Sequence, residues 1–94
     1  MIRQTIHFTG SVQGVGFRFS TRSIARAHKV AGYVQNLPDG RVRLVAEGEP
    51  ADVYAFVRDV ARNMATHIQE QDVTTTSATG EFGVPAPGAL SIHH

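Results

Sequence analysis

The sequence contains no cysteine. Disulfides, thiol nucleophiles and thiolate metal sites are therefore excluded. There is no tryptophan, and a single lysine, Lys29, stands against eight arginines. No apolar run approaches the roughly 20 residues that a helical membrane span needs. The opening residues, Met1-Ile2-Arg3-Gln4-Thr5, lack the apolar centre of a signal peptide, so a cytoplasmic location is the simplest expectation. Excess charge of either sign is also missing: nine Lys+Arg face eight Asp+Glu, a net charge of +1. That balance gives no bulk-charge argument for a nucleic-acid or membrane surface. No internal repeat, low-complexity tract or linker interrupts the chain. What is present, 94 residues with 41% apolar and 18% charged, suits one domain with a modest core. A single copy is the default expectation. Arginine's fork suits two-pronged recognition of carboxylate or phosphate, which directs attention to local sites.

Residues 2–12 alternate, with Ile2, Ile6, Phe8 and Val12 on one side, and read as a half-buried strand. Phe17, Ser20, Ile24, Ala27 and His28 then recur at helical spacing, predicting a helix to about Lys29. "VAGYVQN" and "RVRLVAE" read as strands joined by "NLPDG", a hairpin turn. In the second of them Val42, Leu44 and Ala46 share one face, and Arg41, Arg43, Val45 and Glu47 the other. "EPADVYAFVRDVARNMA" is the clearest helix, with Pro50 in its first turn and an apolar stripe of Val53, Phe56, Val57, Val60 and Met64. "DVTTTSAT" reads as a fourth strand, "GEFGVPAPG" as an irregular connection, and "ALSIHH" as a possible short final strand. The order β-α-β-β-α-β predicts an α+β, ferredoxin-like sandwich: an antiparallel sheet with two helices on one face.

The densest glycine stretch is "GSVQGVGFRF", from Gly10 to Phe19. A strand enters it and a helix leaves it. The first N–H groups of a helix have no partner within it, and the helix dipole adds positive potential there. Glycine lets such N–H groups converge, which makes an anion site. Arg18 follows in the first helical turn, able to fork onto two oxygens. Two familiar nucleotide loops do not fit. No Lys-Ser/Thr follows the last glycine, as a Walker loop requires, and "GVGFRF" has Phe19 where G-x-G-x-x-G needs its final glycine. The loop alone supports an anion site and a plain tight turn about equally.

A second stretch separates the two readings. "GSVQGVGFR" resembles the first signature of the acylphosphatase family, G-x-V-Q-G-V-x-F-R, at Gly10, Val12, Gln13, Gly14, Val15, Phe17 and Arg18. "GYVQNLPDGRVRLVAEG" resembles the second, at Gly32, Tyr33, Val34, Asn36, Asp39, Gly40, Val42 and Gly48. The resemblance implies the same sandwich fold and hydrolysis of acyl phosphates to carboxylate and inorganic phosphate. It implies that Arg18 and the loop Gln13, Gly14, Val15, Gly16 and Phe17 bind the phosphoryl group or inorganic phosphate. It implies that Asn36 orients the attacking water, with no metal or organic cofactor. The chain departs from the family pattern at Tyr33, often tryptophan, at Gln35, often basic, and at the closing "SIHH", where an arginine and a tyrosine are usual.

The remaining candidates are blander. His7, His28, His67, His93 and His94 show no metal-ligand spacing on one helix face, and read as solvated or partly buried histidines. Arg41 and Arg43 read as solvent-facing, with attraction of an anionic substrate as the alternative. An RNA-binding sandwich would stack bases on outward strand aromatics, but Phe8 faces inward and the third strand has none. A carbamoyl-phosphate-handling domain, of the kind that opens larger hydrogenase-maturation proteins, is a further reading that the absence of zinc-type cysteines disfavours.

Overall fold

The computed structural model describes residues 1–94. Seven elements follow in order: β1 Ile2–Gly10, α1 Phe17–Ala25, β2 Ala31–Asn36, β3 Val42–Gly48, α2 Pro50–Asn63, β4 Ile68–Ser77 and β5 Ala89–His93. They form one five-stranded sheet in the order β4-β1-β3-β2-β5. β1, β3, β4 and β2 pair antiparallel, but β5 runs parallel to β2. The ferredoxin-like α+β fold is as expected, and the all-antiparallel sheet is corrected to a mixed one. β4 ends at Ser77, at the end of the sheet where β2 begins, so the following connection enters the free edge of β2 beside Ala31 and continues parallel to it. No helix is long and apolar enough to cross a membrane.

The core follows the alternation read from the sequence. Ile6 and Phe8 of β1, Val34 of β2, Val42, Leu44 and Ala46 of β3, and Leu90 of β5 are buried against Val53, Phe56 and Val60 of α2. Gln4 shares the inner series of β1 and is buried, with its amide donating to Thr75 Oγ1 at 3.2 Å. Met64, just past α2, closes the cluster.

α1 departs from the expected helix. It ends at Ala25, four residues before Lys29, in tight turns whose N–H groups reach back only three residues. Its buried face is Phe17, Thr21 and Ala25, not the Ser20, Ala27 and His28 series. Thr21 tolerates burial because its hydroxyl donates to the Phe17 carbonyl at 2.8 Å. His28 lies beyond the helix and binds Asp59 of α2 at 2.8 Å. β4 begins at Ile68 and ends at Ser77, so it is longer and earlier than "DVTTTSAT" suggests. Its side chains from Gln69 to Ser77 are all exposed.

The outer face of β3 is not a solvated one. Val45 is buried, Arg41 and Arg43 are half-buried, and Glu47 is only 1% exposed. Arg43 Nε donates to His7 Nε2 at 3.3 Å. Burial first, then the charges of Arg41 and Arg43, hold the His7 imidazole below its ordinary value, which suits this acceptor role. Glu47 anchors the connection between β4 and β5. Its carboxylate accepts from Arg3 Nε at 2.8 Å, from the Thr79 N–H at 2.9 Å and hydroxyl at 3.0 Å, and from the Gly80 N–H at 3.0 Å.

Burial alone would raise the Glu47 carboxyl, but these hydrogen bonds outweigh it and hold the group below its ordinary 4.5. A carboxyl depressed on folding adds stability above its unfolded value and loses it as the pH falls through its folded one. The stabilisation is therefore complete above about pH 5 and is lost progressively as the pH falls from 4.5 through the lower folded value. Glu47→Gln is expected to cost about 1–3 kcal/mol at neutral pH and to flatten the acid limb of stability. Urea unfolding at pH 7 and pH 4 checks both effects. An unchanged acid limb would mean that other carboxylates set it.

Candidate active site

β1 ends at Gly10, and the chain crosses to α1 through residues 11–16. Gly14 and Gly16 both lie in the left-handed region, with φ of 77° and 76°. A side chain there would be strained, and Gly16 is the N-cap of α1. The two turns leave the loop's donors unused. No main-chain N–H from Gln13 to Phe19 donates to an acceptor in the protein; the first to do so is Ser20, to the Gly16 carbonyl at 2.9 Å. Seven successive N–H groups thus stand free at a helix N-terminus, where the dipole is positive. Gly10, by contrast, is not part of this cradle: its close neighbour is the His67 carbonyl of the chain itself.

Val12, Gly14, Gly16, Phe17, Arg18, Phe19 and Asn36 line a recess of about 220 Å³. Arg18 enters it from the first turn of α1 and has no carboxylate within ion-pair distance. Its Nη1 donates to the His93 carbonyl at 3.1 Å and lies 3.2 Å from His94 Nδ1. The other donors of its five-donor fork are left for a ligand. Asn36, the last residue of β2, contributes from the opposite side. Its Oδ1 is buried and has no hydrogen-bond partner. A buried acceptor without a partner is costly and rare, and marks a place that a ligand or water fills.

The sequence-derived residues divide accordingly. Gly14, Gly16, Phe17, Arg18 and Asn36 meet at the recess. The Gln13 side chain turns away and ties the loop to the hairpin, donating to the carbonyls of Leu37 at 2.8 Å and Arg41 at 3.0 Å. Asp39 tightens that hairpin by accepting from the Arg41 N–H and side chain at 3.1 and 2.7 Å. Those two bonds hold its carboxyl below the usual range. Val15 points outward, 39% exposed. Phe19 and the two terminal histidines escaped the sequence reading. Phe19 is one place beyond the signature. The histidines reach Arg18 only because β5 pairs in parallel beside β2, which carries His93 to the same end of the sheet as Asn36. His93 also stacks on Tyr33, with ring centres 4.4 Å apart, and Gln35 Nε2 donates to the His94 carbonyl at 3.4 Å. No three His, Asp or Glu side chains are grouped to hold a metal ion.

A family model described as acylphosphatase matches residues 4–84, a span that contains the loop, Arg18 and Asn36. The chain belongs to the acylphosphatase family. An acylphosphatase of Lactobacillus gasseri is 39% identical over 80 residues, covering 83% of this chain and 88% of that one. One of Paenarthrobacter aurescens is 43% identical over 82 residues, covering 86% and 87%. Among solved structures, acylphosphatase from Bacillus subtilis superposes with a TM-score of 0.82 at 31% identity, each chain covered completely. Full-length HypF in a phosphate- and nucleotide-bound form superposes with a TM-score of 0.81 at 29% identity, but there this chain spans only 12% of the larger protein. Family membership makes the chain an enzyme that hydrolyses acyl phosphates.

Proposed function

We propose that the recess is the catalytic centre and that it hydrolyses acyl phosphates without a metal ion. Arg18 and the free N–H groups of residues 13–19 hold the phosphoryl oxygens, and Asn36 orients water. The observation that carries this is the meeting, in one recess, of a loop whose N–H groups are unpartnered, an arginine without a carboxylate, and a buried amide oxygen with no partner in the protein.

Water attacks phosphorus while the bond from phosphorus to the acyl oxygen breaks. The acyl oxygen leaves as carboxylate, and the water's oxygen becomes part of inorganic phosphate. Asn36 Oδ1 accepts a hydrogen bond from the water and aims its lone pair at phosphorus; an amide carbonyl is an acceptor, not a strong base. The proton passes to a phosphoryl oxygen of the substrate. Such a transition state spreads charge over the equatorial oxygens, and fixed donors stabilise it more than the ground state. Because the carboxylate leaves readily, no general acid is assigned. Purified protein is expected to hydrolyse benzoyl phosphate at the same rate with and without EDTA. An inactive protein would refute the reading, and activity restored only by Mg²⁺ would refute its metal-free part.

A further inference from the structure

At the mouth of the recess stands an aromatic side chain with no core function. Phe19 lines the recess yet is 64% exposed. It neighbours Arg18 on α1, and its phenyl ring points away from the buried Phe17, Thr21 and Ala25 face. The ring is held in place. The Arg22 guanidinium lies 5.2 Å from its centre, one helical turn further on, in a cation–π contact. Arg22 itself is not among the residues that line the recess. Val15, the other exposed apolar residue of this region, projects from the loop itself.

An acyl phosphate has two ends. With its phosphoryl group in the loop, its acyl group must lie outward, at the mouth. We infer that Phe19 is the acyl-group contact, and that the enzyme favours acyl phosphates whose acyl group is apolar and preferably aromatic. This rests on the assignment of the recess as the catalytic centre. An exposed phenyl ring beside an anion site offers nothing to a small or strongly hydrated group. It offers an offset or edge contact, and shared burial, to another ring. Arg22 fixes the ring beforehand, so less side-chain freedom is lost on binding.

The test compares benzoyl phosphate, acetyl phosphate and succinyl phosphate in the unaltered protein and in Phe19→Ala, Phe19→Tyr and Arg22→Ala. The intrinsic reactivities of the three substrates cancel when the kcat/KM ratio of one protein is divided by that of another. Phe19→Ala is expected to lower the benzoyl-to-acetyl ratio roughly tenfold, mainly through KM for benzoyl phosphate. Phe19→Tyr keeps the ring and should hold the ratio near the original. An unchanged ratio in Phe19→Ala, with hydrolysis persisting, overturns the acyl-contact assignment and leaves the catalytic one standing. Preferred hydrolysis of succinyl phosphate that disappears in Arg22→Ala overturns it in favour of an anionic acyl group. If no acyl phosphate is hydrolysed and phosphate does not bind by calorimetry, both assignments fall together. Since Phe19 is surface-exposed, loss of folding does not obscure these outcomes, and circular dichroism verifies it.

Discussion

Arg18→Ala is expected to lower kcat/KM for benzoyl phosphate by about a thousandfold or more and to remove phosphate binding measured by calorimetry. The size follows from what surrounds the guanidinium. No carboxylate neutralises it, and one of its two terminal nitrogens is anchored to the tail at His93. The charge is therefore held in a fixed place before substrate arrives, and preorganised charge costs no rearrangement in the transition state. Arg18→Lys separates charge from shape. Lysine keeps the positive charge but loses the planar fork, and it cannot both reach the His93 carbonyl and span two phosphoryl oxygens. Its kcat/KM should recover only part of the loss, roughly tenfold above alanine. Because the side chain is only half-buried and lies outside the core cluster, thermal unfolding of both variants should stay near that of the parent. Kinetics within threefold of the parent for Arg18→Ala would remove the residue from the chemistry.

Asn36→Ala should behave differently. Its kcat is expected to fall by about a hundredfold, while phosphate affinity changes little, because the amide orients water and not the phosphoryl group. Stability supplies an independent readout. Asn36 Oδ1 has no hydrogen-bond partner within the protein, so deleting the amide breaks no bond that the fold itself makes. Asn36→Ala should thus stay within about 1 kcal/mol of the parent in unfolding free energy. A turn residue would give the reverse pattern: stability lost and kcat kept. Steady-state kinetics and urea unfolding on the same preparation decide between them.

Both residues were legible in the sequence, but for unequal reasons. Arg18 was visible as chemistry, since glycines, a helix start and an arginine make an anion site by elementary electrostatics. Asn36 was visible only through the second signature; an asparagine before Leu37-Pro38-Asp39-Gly40 otherwise reads as part of a turn. α2 was clear because Val53, Phe56, Val60 and Met64 keep the 3.6-residue period without exception. α1 was less so. Its buried face carries one large apolar side chain, and the hydroxyl of Thr21 is hidden by a bond within the helix. The burial of Glu47 was not legible at all. Its partners come from Arg3, Thr79 and Gly80, more than 30 residues away in either direction. The contacts of Arg18 with His93 and His94 likewise depend on the parallel placement of β5, which a five-residue strand does not announce.

β4 poses a problem of register. Strands are usually kept from slipping because a one-residue shift would turn their apolar side chains to the wrong face. β4 has no such safeguard, since everything from Gln69 to Ser77 is already in solvent. It is fastened mainly at its ends, with the bond from buried Gln4 to Thr75 between them. At one end the pairing shifts between Thr9 and Gly10, and any side-chain carbon on Gly10 would come within 2.3 Å of the His67 carbonyl. At the other, the Ala78 N–H donates to the Met1 carbonyl, and Glu47 grips Thr79 and Gly80. Between these fasteners most substitutions are tolerable, because a side chain in solvent has no packing to lose. An inserted or deleted residue is not, because the two fasteners would then disagree about the spacing. In β4 the chain constrains how many residues there are far more than which they are.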